Sequence, residues 1–224
     1  MNQSILIFLF IASLNSSFSF EKNSSKSILN KRVSSFEYIQ PSKMWGVDIL
    51  ISNGGFGVGG FYALKLNPKL TVLTSLTFNE SKDDNEVEYY DYWGQIYTPG
   101  KINRFLIIPI YTGAQYRIFS EDILDNFRPF INAAIGPTMI FTTNYGKEFF
   151  SSLGKGKSYW TFGGYVGFGA HFGTSTSALN GVNIRYYFIP YRSGLPSMKL
   201  SESETKSMKE FGGLFITLSF GKAI

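Results

Sequence analysis

The chain has 224 residues, with 21 Lys+Arg against 16 Asp+Glu, one His, no Cys and a net charge of +5. Only 17% of residues are charged, against about 25% in an ordinary soluble domain, and aromatics reach the same 17%. The absence of cysteine excludes a disulfide scaffold, a thiolate metal site and a thiol nucleophile, and one His excludes a paired-histidine metal motif. Low charge with many aromatics also argues against disorder and against a nucleic-acid-binding arm.

Ile5–Leu14 reads ILIFLFIASL, ten residues without a polar face. A membrane-spanning helix needs about 20. The run has the length of a secretory hydrophobic region, and Ser17-Phe18-Ser19 fits a small-x-small cleavage pattern. Residues 1–19 are therefore read as a signal peptide, and the protein is expected to be exported. Residues 20–43 mix Ser, Lys and Asn without a sustained period and read as a polar N-terminal segment. The domain proper is expected over 44–224.

From Trp45 onward the hydrophobic period is two, and it returns eight times. Trp45–Ile51 sets Trp45, Val47, Ile49 and Ile51 against Gly46, Asp48 and Leu50. Phe56–Leu66 sets Phe56, Val58, Tyr62, Leu64 and Leu66 against Gly57, Gly59, Phe61, Ala63 and Lys65. Leu70–Asn79 places Leu70, Val72, Leu76 and Phe78 opposite Thr71, Ser75 and Thr77. Arg104–Ile118 places Leu106, Ile108, Ile110, Tyr116 and Ile118 opposite Tyr111, Gly113, Gln115 and Arg117. Arg128–Thr142 separates Ile131, Ala133, Ile135, Met139 and Phe141 from Arg128, Asn132, Gly136 and Thr138. Tyr159–Phe172 is the clearest, with Trp160, Phe162, Val166, Phe168, Ala170 and Phe172 on one face and Gly163, Tyr165, Gly167, Gly169 and His171 on the other. Asn180–Pro190 and Phe211–Gly221 repeat the pattern with Val182, Ile184, Tyr186, Phe188 and then Leu214, Ile216, Leu218, Phe220. Alternation over such lengths predicts strands with two unlike faces.

A soluble barrel and a membrane barrel both fit eight such strands, and charge separates them. A soluble barrel turns a charged face to water, whereas a membrane barrel turns its apolar face to lipid around a polar or small-residue lumen. The eight segments hold six charges, namely Asp48, Lys65, Arg104, Arg117, Arg128 and Arg185. That is too few for a water-facing wall. Fourteen of the 23 Gly also fall in these segments, where they leave room in a narrow interior. The expected fold is all-β, an eight-stranded antiparallel up-and-down transmembrane β-barrel.

The connections support that count. Ser52–Gly55 is a tight turn, and Asn67-Pro68-Lys69 joins the next pair. Beyond them 80–103, 143–158 and 191–210 are long, while 119–127 and 173–179 are shorter. Barrels of this type have short periplasmic turns and long extracellular loops, so the long connections are expected outside. Pro109 and Pro137 lie inside segments and are expected to mark bulges or irregularities, because neither donates a ladder hydrogen bond.

Asn103–Phe119 (NRFLIIPIYTGAQYRIF), Arg128–Pro137 (RPFINAAIGP) and the closing GGLFITLSFG resemble bacterial outer-membrane β-barrel proteins. The type is broadly similar to the transmembrane domain of outer membrane protein A, over about residues 44–222. The resemblance implies a place in the bacterial outer membrane, contact with its lipid and lipopolysaccharide, and insertion by the barrel-assembly machinery. In that family the last strand ends on an aromatic residue. Here Phe220 is followed by Gly221-Lys222-Ala223-Ile224, which displaces that signal by four residues.

Candidate functional residues are few. By strand parity Asp48, Arg185, Arg117, Arg128 and His171 face the lumen. Asp48 and Arg185 fall mid-strand, two strands apart once the barrel closes, and are expected to interact. Some small outer-membrane barrels resemble lipid A acylases or deacylases, which use a His with a Ser and an acid. His171 has no following His-x-Ser and lies toward the periplasmic end, away from the outer leaflet, so no catalytic set is expected. Asp83, Asp84 and Glu86 in the acidic 80–103 loop are a candidate cation site through oxygen ligands, although a solvated acidic face is the simpler reading. Loops of opposite sign are also able to attract each other and cover the mouth. Tyr89, Tyr90, Tyr92, Trp93 and Tyr97 suit the outer interfacial belt or a binding rim.

No cofactor, metal or nucleic-acid partner is expected. The leading functional expectation is a structural or surface-interaction role without catalysis. Transport or binding of a small molecule, hydrophobic or not, through the barrel is the alternative, and a lipid-modifying enzyme the second.

Overall fold

The computed structural model describes residues 43–83, 86–87, 89–94, 96–120, 126–146, 154–173, 178–201 and 203–224. Residues 1–42, with the stretches read above as a signal peptide and a polar segment, and Asp84 lie outside them. Twelve strands are present among these residues: β1 (Lys43–Ser52), β2 (Gly55–Lys65), β3 (Leu70–Ser81), β4 (Tyr89–Tyr90), β5 (Ile96–Tyr97), β6 (Asn103–Arg117), β7 (Phe127–Asn144), β8 (Lys157–Phe172), β9 (Ala178–Phe188), β10 (Pro190–Lys199), β11 (Thr205–Glu210) and β12 (Gly213–Ala223). Eight of them close a barrel in the order β1-β12-β9-β8-β7-β6-β3-β2. Every neighbouring pair is antiparallel, and β1 pairs with both β2 and β12, so the sheet has no edge.

The expected two faces are observed. Trp45, Val47, Phe56, Val58, Phe78, Ile131, Ile135, Trp160, Phe162, Val166, Phe168, Leu214 and Phe220 are exposed on the outer wall. Leu50, Tyr111, Asn132, Thr138, Asn183, Arg185, Tyr187 and Thr217 are buried inside. An outer wall of this composition is stable only against hydrocarbon. Trp45 and Tyr62 lie side by side across β1 and β2 near the end that carries the chain terminus, while Trp160 and Phe162 on β8 and Phe188 on β9 lie toward the other end. On β8 the twelve steps from Trp160 to Phe172 span about 30 Å along the normal at a tilt of about 40°, the thickness of a hydrocarbon core.

Strand length differs around the wall. β1 and β2 have 10 and 11 residues, close to the crossing minimum of about 9–11, and are joined by a two-residue turn at Asn53-Gly54. Gly55 follows with φ +143°, a backbone that a side chain resists. β7 and β8 have 18 and 16 residues and rise beyond the belt into a polar crown.

The irregularities expected at Pro109 and Pro137 are present as skipped rungs and not as bulges, since neither proline ends its strand or adds a residue. Leu76↔Ile110 and Asn79↔Ile107 keep one register past Pro109, as do Pro109↔Thr138 and Thr112↔Ile135 across β6 and β7, with rungs missing only between them. Each proline removes a donor, so the ladder skips rungs without the bend of an inserted residue. The 191–210 connection is not an open loop, since β10 and β11 pair across it with two register shifts. Pro190, Gly194 and Pro196 within β10 obscure its alternation in the sequence. Finally, Phe211 is not a strand residue. It precedes β12, is buried, and packs edge-on against Phe105 with ring centroids 5.1 Å apart.

Candidate functional site

The interior divides into three levels. At the centre, Asp48 on β1 is fully buried (0% exposed). One carboxylate oxygen accepts from Arg185 Nη1 at 2.8 Å and the other from Ser219 Oγ at 2.6 Å. Ser219 stands directly across from Asp48 on β12, and Arg185 comes from β9 on the far side of β12. The two charges expected to meet are thus in direct contact. Burying them is costly, and both are held by charge-assisted hydrogen bonds. The Arg185 guanidinium also lies 5.0 Å from the Tyr165 ring centroid, so its other side rests on an aromatic face.

Above this pair, toward the crown, aromatic rings fill the bore. Tyr111, Tyr165 and Tyr187 form a triangle with centroids 5.0–6.1 Å apart, and Phe215 meets Tyr187 at 5.2 Å. Tyr111 and Thr138 share a hydrogen bond of 2.8 Å. Leu50, Ile107, Ile140 and Ile189 complete the packing. Gly136 and Gly163 oppose each other across β7 and β8 beside Tyr111. A Cβ at Gly163 would run into the Tyr111 hydroxyl.

Below the pair, toward the chain-terminus end, the lumen is polar. Arg128 and His171 are cross-strand neighbours on β7 and β8. Arg117 on β6, Gln115 and Phe130 complete this level, with His171 and Phe130 in ring contact at 4.5 Å. Between this level and Asp48 lies a cavity of about 30 Å³ lined by Thr71, Ser75, Gln115, His171 and Arg185, room for one or two waters. His171 is therefore a lumen histidine among arginines.

The crown is built by docking of the 80–103 connection onto the β10–β11 hairpin. Asp83 accepts from Ser197 Oγ and Lys206 Nζ, both at 2.7 Å. Glu86 pairs with Lys101 at 2.5 Å. Backbone bonds Ile102 N to Ser197 O and Lys199 N to Gly100 O zip the same two segments together. Of the candidate cation ligands, Asp83 and Glu86 thus point to different lysines, and Asp84 lies outside the described residues. Among the described residues no three His, Asp or Glu side chains converge. Sequence reading offered loop attraction as one option, but it did not single out Ser197 or the tyrosine triangle. Their partners lie on strands far apart in the chain.

A closed eight-stranded barrel with an apolar outer belt, aromatic side chains toward both rims and a polar-to-aromatic bore is the architecture of a small outer-membrane β-barrel. No protein-family model and no curated protein matches the chain. Solved structures similar to it include the N-terminal β-barrel domain of Pseudomonas aeruginosa OprF, at 11% identity over 82% of this chain and 97% of that one, with a TM-score of 0.45. Neisserial surface protein A is 11% identical over 81% of this chain and 94% of its own, with a TM-score of 0.48. A major outer membrane protein from Thermus thermophilus is 11% identical over 80% of this chain and 98% of its own, with a TM-score of 0.46.

Proposed function

We propose that this barrel has a structural or surface-interaction role at the outer membrane, without catalysis and without a standing pore. The observation that carries this reading is the filled bore. The Tyr111–Tyr165–Tyr187 cluster packs against Leu50 and Phe215 directly above the Asp48–Arg185 pair. The cavities beneath the rings in the bore, about 30 and 20 Å³, are far below the several hundred Å³ of a small-molecule site. Transport through the bore would require these rings and the ion pair to move together. The docked crown adds a second barrier above them. Partners within the membrane are its lipid and lipopolysaccharide, met by the apolar belt and the basic side chains near it.

The test is conductance of the purified protein in a planar bilayer, with lipid A mass spectrometry of cells with and without the protein. The reading expects no stepwise conductance and an unchanged lipid A pattern. A stable open level would favour transport, and an altered acyl pattern would favour a lipid-modifying enzyme.

A further inference from the structure

The crown holds its own cations in a recurring way. Lys101 Nζ sits 5.2 Å from the Tyr145 ring centroid while pairing with the Glu86 carboxylate. Arg104 lies 4.8 Å from the same ring. An aromatic face with a carboxylate beside it is therefore a working cation seat in this molecule.

The β4–β5 hairpin presents aromatic faces outward on an acidic connection. Tyr89 and Tyr97 are cross-strand partners with rings 5.9 Å apart. At the tip, Tyr92 and Trp93 stand at 88° to each other with centroids 5.5 Å apart. Tyr92 is 95% exposed, Trp93 82% and Tyr90 71%. Asp91 lies between these rings in sequence and fixes the turn by accepting from Trp93 N at 2.8 Å. The connection that carries the hairpin has Glu80, Asp83, Asp84, Glu86, Glu88 and Asp91 against Lys82 and Lys101. Asp83 and Glu86 are balanced by Lys206 and Lys101, so the excess negative charge is that of Glu80, Asp84, Glu88 and Asp91 over Lys82. Among the described residues, the cation–ring contacts fall on Tyr145 and Tyr165, not on the hairpin.

Exposed rings of this number are costly to leave in water, and the acidic loop repels phosphate and other anions. We propose that the β4–β5 hairpin docks a Lys/Arg-rich segment of a partner protein, through cation–π contacts on Tyr89, Tyr90, Tyr92 and Trp93 and through the negative charge of the loop. This inference rests on the surface-interaction reading above and names the chemistry of the partner. Complementary charge sets the approach, and the right-angled Tyr92–Trp93 pair offers two ring faces to one cation-bearing chain.

The experiment titrates the full-length protein, folded in neutral detergent, with fluorescent decalysine. Heat-modifiable gel mobility confirms that each variant is folded. The double variant Tyr92→Ala/Trp93→Ala should weaken binding about tenfold or more, while Tyr92→Phe/Trp93→Phe keeps most of it because the rings remain. Binding should also fall in about 0.5 M salt, where the screening length is about 4 Å. Equal affinity of the alanine variant, absence of decalysine binding, or binding of maltoheptaose or phosphatidylglycerol vesicles in its place overturns the proposal. An epitope placed in the hairpin separates the two readings. A hairpin hidden on intact cells overturns the surface-interaction reading together with this inference, whereas an exposed one that ignores decalysine overturns only this inference.

Discussion

Asp48 and Arg185 are the residues whose chemistry leaves least freedom. Removing one partner strands the other charge in a bore with little water. Asp48→Ala should therefore cost about 3–5 kcal/mol, read as a lower urea midpoint for loss of the folded gel band. The double variant Asp48→Ala/Arg185→Met removes both charges and should recover most of that loss. Equal loss in the single and double variants would show that packing, not charge, governs the site. Gly163 makes the second case. Gly163→Ala drives a methyl into the Tyr111 hydroxyl, with an expected cost of about 1–3 kcal/mol. Tyr111→Phe alone forfeits the bond to Thr138, worth about 1 kcal/mol. Together the two changes should cost less than their sum, because the second removes the nearer of the two clashing atoms, while the Phe188 carbonyl oxygen at 2.8 Å keeps part of the cost. Strict additivity in the same urea titration would count against this contact.

At the scale of the strand, face decides the effect of a substitution. Phe168 lies on the outer wall of β8, between Trp160 and Phe172, and is 60% exposed. Phe168→Arg should impair assembly, since an Arg facing lipid costs up to about 2–4 kcal/mol. Parity alone suggests the neighbouring Gly167→Ser as the tolerated control, but the structure disqualifies it. A Cβ at Gly167 would stand 2.7 Å from both Asn132 Oδ1 and the Ile184 carbonyl oxygen, and 3.0 Å from Arg185 Cγ. The lumen-facing glycines Gly46, Gly59, Gly113 and Gly169 are closed in by neighbours in the same way. Thr71→Ser, facing the small cavity, is the better control and should fold with wild-type yield. Similar yields of folded Phe168→Arg and Thr71→Ser protein would mean that the face assignment of β8 is wrong.

For the whole molecule the even strand number returns both ends of the barrel to one side. The crown on 80–103 and 191–210, together with the 143–158 connection, is then expected to face away from the cell, and the connections at 67–69, 119–127 and 173–179 to face the periplasm. Short epitopes inserted after Gly154 and Ser201 should be labelled on intact cells, and one after Asp125 should not, because loop tips accept insertions. Labelling of the Asp125 site alone would invert the barrel.

Alternation by itself determined the eight strands, their faces and the membrane setting, because period two and sparse charge are local properties that lipid imposes on every strand separately. Phe168 outward and Asp48 inward are readable without any partner. The meeting of Asp48 with Arg185 was within reach for the same reason, since parity and strand order place both at mid-height near β12. The tertiary structure alone decided what closes the bore. Tyr111, Tyr165 and Tyr187 come from β6, β8 and β9, and nothing local shows that three inward tyrosines at one height meet as a plug. It also decided the crown, where Asp83 joins Ser197 and Lys206 from more than a hundred residues away. Loop pairing of this kind has no period to betray it. Its register follows from which side chains reach each other once the barrel has closed.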